Sequence, residues 1–154
     1  MDPNLTQLLH QTLFGAIAAA GFGVLFNVSF RLLPWCAASG AIALAVRTAF
    51  MELGWNLGGA SFAAALAVGI AVQLLRGRTG LPLDVLNAVG CIPMVPGVFA
   101  EKAILALYAL TTNNASDDAQ ELIVAMQYAL RVIFTTGAIG TGLAIPTLLL
   151  RARQ

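Results

Sequence analysis

Residues 87–97, NAVGCIPMVPG, contain two prolines, Pro93 and Pro96, close to Gly90 and Gly97. A proline inside a helix has no N–H to donate, so each of these two would leave an earlier carbonyl without its helical partner. Unpaired backbone groups cannot face lipid, and such a stretch must be buried in protein or line a cavity. The stretch therefore predicts a broken helix at a binding site, with a simple packing kink as the alternative.

The sequence on both sides of this stretch is unusually apolar. The chain of 154 residues is 59% hydrophobic and only 10% charged, whereas a soluble domain carries about 25% charged residues. Five apolar segments follow one another, each close to the roughly 20 residues that cross a bilayer: Leu8–Phe30, Trp35–Leu53, Leu57–Leu75, Leu81–Leu110 and Leu122–Leu150. We expect an all-α polytopic transmembrane helix bundle of about five spans, the fourth broken, forming one transmembrane domain over residues 1–154.

The positions of the loop charges predict an orientation. With five spans and the N-terminus outside, the arginines beyond the spans fall on the cytoplasmic side, and the acidic loop falls outside. The arginines are Arg31, Arg76, Arg78, Arg151 and Arg153, and the acids are Asp117, Asp118 and Glu121. This arrangement satisfies the positive-inside rule, so we expect a C-terminus in the cytoplasm.

Several function classes are disfavoured by composition. The net charge of +1 offers no basic patch for nucleic acid. His10, Cys36 and Cys91 are too few and too scattered to build a zinc site within the chain. A nucleophile elbow, a phosphate loop and a metal-spaced His/Glu cluster are all absent from the sequence. We therefore expect neither an enzyme nor a cofactor.

Polar side chains inside the spans mark candidate substrate contacts. Arg131 lies about 15 Å into the fifth segment, where an arginine costs about 2.5–3.5 kcal/mol to insert. Gln127, Arg131 and Thr135 follow at i, i+4 and i+8 and form one polar stripe, which lines either an aqueous path or a structural contact. Arg47 is closer to the end of its segment, where it can also reach the interface. Two intramembrane arginines favour an anionic ligand such as a small carboxylate. Asn87, at the start of the broken stretch, is a further candidate contact.

Pairs of small residues at helical spacing indicate close helix packing. They are Ala16 with Ala20, Gly54 with Gly58, and Ala138 with Gly142. Such pairs let helix backbones approach in lipid. Packing within the bundle and a homo-oligomeric interface both remain open.

Three motifs resemble the threonine/serine exporter family, in particular its short single-repeat members. They are residues 21–28, GFGVLFNV, followed by Arg31 and Trp35-Cys36; residues 92–97, IPMVPG; and residues 140–146, GTGLAIP. The similarity extends over about residues 13–153. It implies a multi-pass protein of the bacterial inner membrane.

The resemblance also implies a function and a partner. This chain is expected to be the small subunit of a two-component exporter of small carboxylates, of the succinate-exporting type, working with a separate larger membrane subunit. The alternatives are a subunit exporting threonine or serine, and an assembly subunit that does not touch substrate. The predicted substrate contacts are Arg131, Arg47, Gln127, Thr135, Asn87, Pro93, Pro96 and Gly97.

Overall fold

In the computed structural model, residues 3–75, 83–112 and 118–151 are described, and they form six α-helices. The helices are α1 (Pro3–Leu25), α2 (Leu33–Glu52), α3 (Leu57–Leu74), α4 (Leu83–Cys91), α5 (Gly97–Thr112) and α6 (Asp118–Arg151). Short 3-10 turns at Phe30–Leu32 and Ile92–Met94 precede α2 and follow α4.

Four of these helices have the length and apolar character of membrane spans. They run over Leu5–Leu25, Phe30–Glu52, Leu57–Leu74 and Leu122–Leu149, and α4 with α5 makes a fifth span if the broken pair counts as one. The all-α polytopic bundle is thereby confirmed, with four to five candidate spans. The orientation, with the N-terminus outside, stays a prediction. Of the arginines behind it, Arg76, Arg78 and Arg153 lie outside the described residues.

The chain divides into two compact units, one of residues 1–94 with 138–154 and the other of residues 95–137. In the first unit, α1 packs against α2 through small residues. A Cβ built on Gly15 would come within 2.6 Å of the carbonyl oxygen of Gly40, and Ala19 is fully buried. The two backbones are thus close enough that only glycine fits at this crossing.

A second close approach joins α3 to the C-terminal part of α6. A Cβ on Gly142 would lie 2.7 Å from the carbonyl oxygen of Phe62, and one on Gly69 would lie 3.0 Å from Cγ of Pro146. Gly142 therefore packs as its spacing predicts. Among the described residues, Gly54 has open space around it and a left-handed φ of 85°, which fits a tight turn between α2 and α3. Close packing at Gly54 and Gly58 stays a prediction.

Two asparagines mark helix ends in the structure. The side chain of Asn56 accepts a hydrogen bond of 2.7 Å from the backbone N–H of Gly59, at the start of α3. Asparagine is a favoured residue at this position because its side chain satisfies a free N–H of the first turn. Asn27 adopts a left-handed φ of 55° just after α1 ends at Leu25, earlier than the apolar run predicts.

Candidate functional site

The predicted break lies between α4 and α5. The α-helix stops at Cys91, a 3-10 turn covers Ile92–Met94, and α5 starts at Gly97. The carbonyl of Pro96 accepts hydrogen bonds of 3.1 Å from the N–H groups of Phe99 and Ala100, so Pro96 opens the new helix. Proline is suited to that place, because its missing N–H would have no helical partner there.

Arg47 of α2 contacts this broken segment directly. Its Nη1 donates a hydrogen bond of 3.1 Å to the carbonyl oxygen of Met94. Arg47 is half-buried and lies five residues before Glu52, about 8 Å from the end of α2. A guanidinium has five N–H donors, so one bond to Met94 leaves most of them for another acceptor.

A cavity of about 450 Å³ opens beside Arg47. It is lined by residues of α1, α2 and the 3-10 turn: Gln7, Gln11, Leu44, Arg47, Thr48, Met51, Glu52 and Pro93. Five of these eight side chains are polar or charged, in a unit whose hydrophobic core is built chiefly from small apolar residues such as alanine and valine. Its size suits a small organic molecule, and its donors suit a carboxylate.

Four polar residues of this cavity were not predicted as site residues, namely Gln7, Gln11, Thr48 and Glu52. Their spacing in the sequence could have indicated three of them. Gln7 and Gln11 are four residues apart and share one face of α1, and Thr48 directly follows Arg47. What the sequence cannot supply is the pairing of α1 with the end of α2, which brings the two faces together.

Asn87 is 7% exposed in α4, and its Oδ1 has no hydrogen-bond partner among the residues that the structure describes. One turn later, Gly90 allows close contact with α2, because a Cβ there would lie 2.7 Å from Oγ of Ser39. Asn87 is thus buried on α4 and is not among the residues that line the Arg47 cavity. Its predicted role as a substrate contact stays a prediction.

In the second unit, Arg131 and Lys102 both sit over aromatic rings. The Cζ of Arg131 lies 5.6 Å from the centre of the Phe99 ring, and Nζ of Lys102 lies 5.6 Å from the centre of the Tyr128 ring. The two rings stack with centres 6.0 Å apart. We call Phe99, Lys102, Tyr128 and Arg131 the basic–aromatic quartet.

The remaining predicted site residues divide by exposure. Gln127 is exposed on α6, like Arg131, whereas Thr135 is 2% exposed, so the predicted polar stripe turns from the surface into the protein. Pro96 is buried, and Gly97 has open space where a Cβ would stand. A substrate role for Arg131, Gln127, Thr135, Pro96 or Gly97 remains a prediction.

The protein is a multi-pass helical membrane protein whose broken helix is bound by Arg47 beside a polar cavity. Helices broken in this way are typical of membrane transporters. The sequence comparison narrows this class. Residues 11–149 match the family model described as threonine/serine exporter, ThrE. The chain therefore belongs to the threonine/serine exporter family. No solved structure matches the chain.

Proposed function

We propose that this protein is the small subunit of a two-component exporter that moves small carboxylates, succinate-like dicarboxylates among them, across the bacterial inner membrane. Family membership supports export, and the motifs of the short members support a separate larger subunit. The observation that carries the substrate class is Arg47 in its polar cavity. A guanidinium is the side chain best shaped to bind a carboxylate, by two parallel N–H···O bonds.

The cavity also suggests how binding affects the broken segment. Arg47 lines the cavity and holds the carbonyl of Met94 at the same time. A carboxylate that binds Arg47 competes with this carbonyl, because charged acceptors form the stronger hydrogen bonds. Substrate binding thereby loosens the 3-10 turn between α4 and α5, and a change in a discontinuous helix is a common way to alternate access.

Export assays on Arg47→Ala test the proposal. The protein is co-purified with its larger subunit, reconstituted into vesicles loaded with labelled succinate, and efflux is followed under a proton gradient. We expect Arg47→Ala to reduce efflux at least about tenfold, since a hydrogen bond between charged groups contributes about 1.5–3 kcal/mol. Arg31→Ala is the matched control, because Arg31 is an exposed arginine of the turn before α2. Equal efflux from the wild type and Arg47→Ala would refute a carboxylate site at Arg47.

A second candidate substrate is a small amino acid, and the position of Glu52 in the cavity wall favours it. Glu52 lines the same cavity as Arg47, so one wall offers both a cation and a carboxylate, as a zwitterion requires. Glu52→Gln separates the two substrates. Loss of threonine or serine efflux with succinate efflux kept or raised assigns Glu52 to the ammonium group, whereas unchanged amino-acid efflux removes this candidate.

An assembly subunit that never touches substrate is the third alternative. Pro93 lines the cavity, so Pro93→Ala distinguishes this alternative from transport. A change in the ratio of succinate to threonine efflux, at constant yield of the complex, places the chain at the substrate. A lower yield of the complex with an unchanged ratio supports assembly alone.

A further inference from the structure

The helices α1 and α2 of the first unit run antiparallel and touch along one face. A Cβ built on Gly23 would lie 3.3 Å from Sγ of Cys36, and one built on Gly15 would lie 2.6 Å from the carbonyl oxygen of Gly40. Residues closer to the start of α1 therefore meet residues closer to the end of α2. The turns of α1 that precede Gly15 thus lie beside the part of α2 that carries Arg47.

Two glutamines continue this face of α1 beyond the glycine crossing. Gln11 and Gln7 precede Gly15 by four and eight residues, so they lie one and two turns along the same face. Among the described residues, they are the two of α1 that line the Arg47 cavity. The tight crossing therefore opens into the cavity, and the α1 wall of the cavity presents two amide side chains.

Over the residues that the structure describes, the side chains of Gln7 and Gln11 form no hydrogen bond. Thr12, the next residue of α1, by contrast donates a hydrogen bond of 2.7 Å to the carbonyl oxygen of Leu8. Gln11 lies six residues into the apolar span that begins at Leu5, about 9 Å deep. An amide at this depth costs free energy unless it is hydrogen-bonded, and a polar ligand in the cavity provides the partner.

The walls of the cavity differ in what they can bind. Arg47 supplies the cation, Leu44 and Met51 are apolar, and the two glutamines offer uncharged N–H donors and C=O acceptors. In one cavity of about 450 Å³, a ligand that gives a carboxylate to Arg47 has its other end against the remaining walls. Glu52, also in the wall, repels a distal carboxylate and so favours its placement on α1.

We infer that Gln7 and Gln11 hold the second polar group of the substrate and thereby select which carboxylates the Arg47 cavity accepts. This inference rests on the proposed function and deepens it, because it names the residues that bind the distal end of the substrate. An amide pairs with a carboxylate, a carboxamide or a hydroxyl, so the distal group must be polar but need not be charged. A distal methyl group is rejected, because a site built for hydrogen bonds penalises a ligand that leaves its polar groups unpaired.

Displacement of labelled succinate from the full chain in lipid nanodiscs tests this selection. The competitors are succinate, its monoamide succinamate, and butyrate, which has the same chain length but ends in a methyl group. We expect the wild type to bind butyrate at least about tenfold more weakly than the other two. Gln11→Leu and Gln7→Leu should each reduce this preference severalfold. Thr12→Val is the matched control that should keep it, because Thr12 lies on the same helix but not in the cavity wall.

Gln11→Glu tests the same contact without a change in side-chain size. Its carboxylate repels the distal carboxylate of succinate but accepts a hydrogen bond from the amide of succinamate. With labelled succinamate as the tracer, we expect succinamate to bind at least about fivefold more tightly than succinate. A glutamine that only supported the packing of α1 would not produce this reversal.

The outcomes separate this inference from the proposed function. Equal weakening of all three ligands in Gln11→Leu and Gln7→Leu, or an unchanged preference, overturns the inference and leaves the Arg47 experiment decisive for transport. A wild type that binds butyrate as tightly as succinate, or binds neither, also overturns it. A preference that depends on the glutamines, in a chain that with its larger subunit exports no carboxylate, supports the inference and overturns the transport proposal.

Discussion

At the residue scale, single glycines decide which helix faces meet. Gly142 and Gly140 both lie in α6, two residues apart, yet a Cβ meets backbone and side-chain atoms of α3 at the first and open space at the second. The sequence shows both as helical glycines in the same motif. Only the direction in which α6 faces α3 distinguishes them, and that direction depends on the whole bundle.

Gly142→Ala should therefore destabilise the protein, whereas Gly140→Ala should not. The added methyl at Gly142 would come within 2.7 Å of the carbonyl oxygen of Phe62 and 2.9 Å of Cβ of Ala65, and overpacking of this kind costs about 1–3 kcal/mol. At Gly140 the same change meets nothing and improves helix propensity. Thermal unfolding of both variants in one detergent measures the difference. Equal melting temperatures would show that α3 and α6 do not pack at Gly142.

At the scale of elements, the sequence was most informative about where helices stop. Two prolines three apart predicted the break, and the structure places a 3-10 turn and a new helix start there. The partner of the break was not predictable in the same way. Arg47 was expected either at the interface or at substrate, and its bond to the carbonyl of Met94 depends on α2 passing beside the end of α4.

Pro93→Ala should alter the break while Pro146→Ala should not. An alanine at position 93 restores an N–H and favours continuation of α4 into the 3-10 turn, which changes the wall of the Arg47 cavity. Pro146 lies inside α6 without ending it. We expect Pro93→Ala to lower succinate efflux severalfold at normal expression and Pro146→Ala to affect chiefly stability. Efflux per molecule of purified complex measures this, and equal efflux from the two variants would contradict it.

At the scale of the whole molecule, composition alone predicted a polytopic helical membrane protein, because so few charged residues cannot cover so much apolar surface. The Arg47 cavity was only half visible in the sequence. Arg47 stood out as an arginine inside an apolar segment, whereas Gln7, Gln11 and Glu52 lie nearer to helix ends. Polar residues near helix ends are common even where they have no function. Only the pairing of α1 with α2 shows that these residues line a cavity.

The topology can be measured at this scale. Five spans with the positive charges inside place the N-terminus in the periplasm and the C-terminus in the cytoplasm. We expect a fluorescent reporter that folds only in the cytoplasm to be active when fused after Gln154. An alkaline phosphatase fused at that point should be inactive. Phosphatase activity at Gln154 would instead indicate an even number of spans or the opposite orientation.

The transport proposal requires that the Arg47 cavity is open to water and binds a carboxylate. Thr48→Cys places a thiol in the cavity wall, and the wild type controls for the buried Cys36 and Cys91. Ile70→Cys, on an exposed apolar face of α3, is the matched lipid-facing control. We expect a charged thiol reagent to modify Thr48→Cys but not Ile70→Cys. Succinate should slow this modification in proportion to its concentration. A thiol at position 48 that stays unmodified, or is modified at the same rate with and without succinate or threonine, would contradict the transport proposal.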